Sequence, residues 1–130
     1  MDIDELRQYQ ALKREIESLE QLRNSLYFDV HSPSLSASYG TTPGNPTENT
    51  VRKIAHYDDL IDEKIVDLRE MVVEIEEWLN TVSNPDIRAI TRWHYLIGLT
   101  WKETARKMYS YENSDACRKQ FYRYFGIELK

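Results

Sequence analysis

Apolar residues recur at helical spacing along most of this chain, and the places where that spacing breaks divide it into elements. From Asp2 to about Phe28, Ile3, Leu6, Leu12, Ile16, Leu19, Leu22 and Leu26 stand three or four residues apart, or at sums of those steps. This is one face of an α-helix, and Asp2 followed three residues later by Glu5 can cap its start. The segment predicts one amphipathic helix, roughly 40 Å long at about 1.5 Å per residue. The pattern stops over Asp29–Pro46, DVHSPSLSASYGTTPGNP, which holds three of the four prolines and two of the four glycines. Such a stretch cannot sustain a helix. Residues 29–46 are expected to form a flexible Ser/Pro/Gly loop, the alternative being a segment wrapped on the helices through Leu35 and Tyr39.

After Pro46 the helical period returns, with Thr47 as the expected cap and an end near Thr81. Ile54, Ile61, Leu68, Ile75 and Val82 repeat every seven residues, and Ile65, Val72 and Leu79 form a second row beside them. Two adjacent rows are wider than a two-stranded seam requires. One row is expected to pack on the first helix as a long antiparallel hairpin, and the other to meet a second copy, giving a homodimer.

Three short helices should follow. Asn84-Pro85 pairs a good cap with the residue that suits the first helical position. A third helix then runs to about Ile97, with Ile87, Ile90, Trp93 and Ile97 facing inward, and Gly98 ends it. Thr100-Trp101-Lys102-Glu103 has the form of a capping box, so a fourth helix spans about Trp101–Met108 and buries Trp101, Ala105 and Met108. A turn is expected over Tyr109–Glu112. Asn113 or Ser114 caps a fifth helix, about Asp115–Phe125, with Cys117, Phe121 and Phe125 inward. The expected fold is all-α: a helical hairpin and dimerisation arm over residues 1–82, then a three-helix helix-turn-helix module over residues 83–130.

Charge sharpens this division. Residues 83–130 carry nine Lys/Arg against five Asp/Glu, and residues 1–82 carry eight against seventeen, so a module of about +4 follows an arm of about −9. The net charge of −5 for the whole chain conceals the reversal. With 130 residues there is no room for a large multi-layer enzyme. No run approaches the ~18 apolar residues of a membrane span, and the acidic start Met1-Asp2-Ile3-Asp4-Glu5 does not fit a secretory leader. A cytoplasmic protein without membrane contact is expected. The single Cys117 excludes an internal disulfide, and the scattered His31, His56 and His94 give no zinc-ligand spacing.

With Cys117, Phe121 and Phe125 inward, the last helix should present Asp115, Arg118, Lys119, Tyr122 and Arg123 outward, preceded by Asn113 and Ser114. This is the chemistry of a recognition helix in double-stranded DNA: Arg and Lys donate to guanine, Asn reads adenine, and Lys or Tyr hold phosphates. Asp115 opposes it unless it accepts from a cytosine amine or supports the cap. Thr100 and Lys102, at the start of the fourth helix, are placed for a phosphate, and Arg106 and Lys107 can add backbone contacts. The expected DNA-binding set is Thr100, Lys102, Arg106, Asn113, Ser114, Arg118, Lys119, Tyr122 and Arg123. Tyr109, Tyr111, Tyr122 and Tyr124 can stack on bases, but a small helical module also needs them for its core.

Leu99-Thr100-Trp101-Lys102-Glu103-Thr104-Ala105-Arg106-Lys107-Met108, followed by Asn113-Ser114-Asp115-Ala116-Cys117-Arg118-Lys119-Gln120-Phe121, resembles the C-terminal helix-turn-helix of sigma factors, which reads the −35 promoter element. Ala105 matches the small residue where the two helices touch, and Cys117 the usual buried aliphatic. Tyr109 stands where the family has Gly, and the turn is about two residues longer. The whole layout is similar to small phage and prophage regulators, the late-gene activators of the RinA and ArpU type. That resemblance implies promoter binding and a role in switching on phage structural and packaging genes.

Other classes are weaker on the residues. Glu17 with Glu20 and Asp59 with Asp62 are carboxylate pairs of a spacing that can hold Mg²⁺, but solvated helices commonly carry such pairs and no basic triad completes a phosphate site. No enzyme, metal or cofactor is expected. A phage DNA-packaging subunit of the small-terminase kind, and a protein-interaction module binding RNA polymerase, are the two alternatives to a DNA-binding regulator.

Overall fold

The computed structural model describes residues 1–31, 46–110 and 113–127. Every regular element among them is helical: α1 (Ile3–His31), α2 (Pro46–Leu79), α3 (Pro85–Ile90) running directly into a π-helical stretch (Thr91–Ile97), α4 (Trp101–Tyr109) and α5 (Ser114–Tyr124). The chain is all-α.

Helix ends follow the caps that the sequence offers. The Glu5 amide donates to Asp2 Oδ1 at 2.9 Å, and the Asp86 amide to Asn84 Oδ1 at 2.9 Å with Pro85 behind the cap. Both long helices extend past their predicted bounds on the side of the expected loop. α1 runs on to His31, and α2 starts with Pro46, so Thr47 lies inside the helix rather than capping it. Proline needs no amide partner in a first turn, which is why the helix can start on it. Residues 32–45, Leu35 and Tyr39 included, lie outside the described residues.

The chain divides into two compact units, residues 12–68 and residues 1–11 with 69–130. In the first, Ile16 and Ile61 are buried, and two ion pairs link the helices: Lys64 Nζ to Glu15 Oε1 at 2.9 Å and Arg23 Nη1 to Asp58 Oδ1 at 3.0 Å. Their order runs in opposite chain directions on α1 and α2. Both pairs keep much of their solvent, so each contributes at most about 1 kcal/mol. Leu68 and Ile65 are half-buried, like Val72 further along α2. The exposed large apolar side chains of α2 are Val51, Val66 and Val73, none of which belongs to either predicted row.

The second unit draws its core from widely separated stretches. Ile3, Leu6 and Tyr9 of α1, Ile75 and Leu79 of α2, Val82 in the following link, Ile87 and Ile90 of α3, and Tyr95, Ala105, Cys117 and Phe121 are all buried. The compact unit that holds α4 and α5 therefore includes residues 1–11 and 69–82 as well as 83–130.

The third predicted helix needs a correction. Ile87 and Ile90 face inward as expected, but Trp93 is only half-buried and Ile97 is 57% exposed, while Thr91 and Tyr95 are buried. The cause is the change of winding at Thr91. An α-helix turns about 100° per residue and an i→i−5 helix roughly 85–90°. Over the six steps to Ile97 the shortfall swings Tyr95 into the core and Ile97 out of it. Gly98 closes the stretch at φ +97°, where a side chain would be strained, and its amide and that of Leu99 both donate to the Trp93 carbonyl, at 3.2 and 2.9 Å.

The turn after α4 also differs from expectation. Tyr109 is the last helical residue, and the left-handed position falls on Ser110, at φ +63° and ψ +14°. Tyr111 and Glu112 lie outside the described residues. A left-handed conformation costs a residue with a Cβ roughly 1–2 kcal/mol. Ser110→Gly is therefore expected to stabilise the protein by about 0.5–1 kcal/mol, part of the gain being offset by the freer unfolded chain. Urea denaturation of the two proteins checks the sign.

Candidate nucleic-acid interface

α4 begins with a complete capping box: the Glu103 amide donates to Thr100 Oγ1 and the Thr100 amide to Glu103 Oε1, both at 3.1 Å. Those hydrogen bonds hold the Glu103 carboxyl below its ordinary range. Two of the amides that a phosphate would seek are thereby committed, although the Thr100 hydroxyl keeps its own proton to donate. α5 is capped by Asn113, whose side-chain oxygen accepts from the Ala116 amide at 3.0 Å.

The two helices meet across small and apolar residues. Thr104 and Ala105 of α4 and Cys117 and Phe121 of α5 are fully buried. Thr104 tolerates this because its hydroxyl donates to the Thr100 carbonyl at 2.8 Å, as Thr91 does to Ile87 at 2.7 Å. Burial pushes the Cys117 thiol up to about 11, so it is a packed side chain and not a nucleophile. A polar chain adds orientation: the Tyr109 hydroxyl donates to Gln120 Oε1, and Gln120 Nε2 donates to Asp86 Oδ2 at 3.3 Å, tying α4, α5 and α3 together.

With Cys117 and Phe121 inward, Asp115, Lys119, Tyr122 and Arg123 stand on the opposite face of α5 at i, i+4, i+7 and i+8. Lys119 and Arg123 are exposed. Arg118 is on the flank: it is half-buried, its Nη2 lies 3.4 Å from Asp115 Oδ1, and its Nε is buried with no hydrogen-bond partner among the described residues. Tyr122 is half-buried as well, packed near Trp101 and Phe121, and its hydroxyl accepts from Arg7 Nη2 at 2.9 Å. Ser114 is half-buried at the start of α5, and Thr100 and Asn113 are exposed but serve as caps. Lys102 and Arg106 are exposed on α4. Of the tyrosines, Tyr109 is half-buried and Tyr124 exposed, and Tyr111 is not among the described residues.

The charge excess of this region is more localised than its residue count. Arg88 Nη1 donates to the Val82 carbonyl at 2.6 Å, and Arg92 makes a two-pronged pair with Glu76, at 3.1 and 2.8 Å. The Arg92 hydrogen bond lowers the Glu76 carboxyl below its ordinary range. These two cations serve the packing of the unit. The other described cations of residues 83–130, namely Lys102, Arg106, Lys107, Arg118, Lys119 and Arg123, all sit on α4 and α5.

No protein-family model matches this chain, and no match was found among curated proteins or solved structures.

Three contributors to the site were not foreseen from the sequence. Gln10 Nε2 donates to the His94 carbonyl at 3.4 Å and the Tyr9 hydroxyl reaches the Leu96 carbonyl at 3.5 Å, so α1 supplies donors to the π-helical stretch; Arg7 supplies the bond to Tyr122. His94 in turn stacks on Trp101, the first residue of α4, with ring centroids 3.7 Å apart, and its Nδ1 donates to the Leu99 carbonyl at 2.8 Å.

Burial lowers the His94 imidazole below its ordinary value of 6.5, against the opposing pull of the Leu99 carbonyl. The unfolded chain therefore takes up a proton here before the folded one does. Stability is expected to be unaffected by this group above about pH 7 and to fall as pH drops below 6.5, by up to about 1.4 kcal/mol per pH unit, until the folded imidazole also protonates. Urea denaturation between pH 7.5 and 5.5 measures this, and His94→Gln should flatten the slope.

Proposed function

We propose that this protein is a sequence-specific DNA-binding transcription regulator. α4 and α5 act as a helix-turn-helix pair, and a second copy joins through the long helices to form a homodimer. The observation that carries the reading is the concentration of cations on α4 and α5, with Lys119 and Arg123 exposed on the face of α5 opposite its buried Cys117 and Phe121. An α-helix fits the major groove of B-form DNA, and its basic side chains then reach base edges and phosphates. In this scheme Lys119 is the principal reader, Asn113 and Ser114 stand at the leading end of the helix, Arg123 meets the backbone at its far end, and Thr100, Lys102 and Arg106 hold the flanking backbone. Arg118 and Tyr122 support the face from its edge. The likeness of this region to the sigma-factor module, and of the layout to phage late-gene activators, supports a role at promoters. No catalytic chemistry is assigned to the chain.

The test is duplex binding by the whole chain over a salt series. A module touching four to six phosphates should lose affinity with a log-log slope of roughly −4 to −5. The same preparation separates a dimeric regulator from a DNA-packaging subunit, which would assemble into a closed ring of many copies. Glu103 and Asp115, both in the first turns of the proposed reading helices, favour a second reading in which the module docks on a protein such as RNA polymerase. Binding to a protein partner with no salt-sensitive DNA affinity would select it.

A further inference from the structure

Arg7 belongs to the first helix, 115 positions before the phenol that it holds, Tyr122 of α5. Its Nη2 donates to that hydroxyl at 2.9 Å, its guanidinium carbon lies 5.9 Å from the ring centroid, and its Nη1 is 3.6 Å from Asp4 Oδ1. The side chain is nevertheless 54% exposed. A guanidinium carries several N–H donors in one plane, and Tyr122 and Asp4 engage only part of that fork. The ring of Tyr122 is itself held by packing near Trp101 and Phe121, with ring centroids 6.2 Å away in each case. The Arg7 head is therefore anchored at a fixed place, one turn of α5 beyond Lys119.

We propose that Arg7 is part of the DNA-contacting surface and binds a phosphate of the duplex backbone beside the far end of α5. This rests on the DNA-binding reading above and extends it to a residue outside the predicted module. A helix that leads into the groove with its N-terminal residues leaves its C-terminal half over the backbone. An anchored guanidinium there matches a phosphate oxygen pair in geometry and charge. The contact is sequence-independent, because phosphates carry no base information. Asp4, 81% exposed and beside Arg7, competes with the phosphate for the same head.

The experiment is fluorescence anisotropy of the full chain with a random-sequence duplex across a salt series. It compares the unaltered protein with Arg7→Gln, Asp4→Asn and, as a charge-loss control elsewhere, Arg52→Gln. Arg7→Gln should reduce the magnitude of the salt slope by about 0.9 and weaken binding roughly three- to tenfold at low salt. Asp4→Asn should tighten binding, and Arg52→Gln should leave the slope unchanged. If the unaltered protein binds with the expected slope while Arg7→Gln behaves like Arg52→Gln, the Arg7 contact is wrong and the DNA reading stands. If the unaltered protein shows no salt-sensitive binding to any duplex, both fall. Equal tightening by Asp4→Asn in the presence and absence of Arg7 would also overturn the contact, because it would reflect net charge alone.

Discussion

Leu6→Ala should destabilise the unit that carries α4 and α5 by about 3 kcal/mol, within the range of roughly 2–5 kcal/mol for a buried leucine replaced by alanine. Leu6 is completely buried, and its neighbours one turn away, Ile3 and Tyr9, are nearly so. Removing most of the side chain forfeits its transfer energy and leaves a void that helices fixed by several other contacts cannot close. The three tryptophans, Trp78, Trp93 and Trp101, all lie in this unit, so tryptophan fluorescence reports on its unfolding. The urea midpoint followed by fluorescence should drop markedly for Leu6→Ala. It should barely move for Leu22→Ala, which is 43% exposed and in the other unit. An unchanged midpoint for Leu6→Ala would mean that the start of the chain is not part of this core.

Lys119→Ala should weaken binding to a selected DNA site by roughly 1–3 kcal/mol and relax the sequence preference there, while Lys102→Ala weakens all duplexes about equally. The distinction follows from position. Lys119 stands mid-helix on the exposed face of α5, where a major-groove reader meets base edges. Lys102 lies in the first turn of α4, where a helix start meets the backbone. Arg118 is a poorer subject for this comparison, because its stem is half-covered and its head is shared with Asp115. Its replacement would mix a packing loss with any binding loss. Competition by specific and random duplexes, measured at one salt concentration, separates the two effects.

Most of the local structure was legible in the sequence, the start of α2 excepted. The Asn84-Pro85 start, the Thr100–Glu103 capping box, the Asn113 cap and the stop at Gly98 all depend on residues within about two turns of one another, and each is present. Inward positions followed from the helical period at Ala105, Cys117 and Phe121, whereas Trp101 and Met108 of α4 are only half-buried and Leu22 of α1 is 43% exposed. Ile97 failed because its inward placement assumed α-helical winding through a stretch that winds more slowly. Relations across the chain left no periodic trace. Nothing in the spacing ties Arg7 to Tyr122, Gln10 to His94 or Glu76 to Arg92, and the last of these bonds commits one cation of residues 83–130 to packing. Counting charge by segment placed the cation excess in residues 83–130, and the geometry concentrates its described cations on two helices.

The most direct measurement is an amide chemical-shift titration of the isotope-labelled full chain with a duplex selected from random DNA. Perturbations concentrated on residues 113–123, with a second group over 100–106, are expected, and weaker effects at Arg7 should accompany them. Absence of perturbation with every duplex, or shifts confined to residues 12–68, would contradict a DNA-reading role for α5.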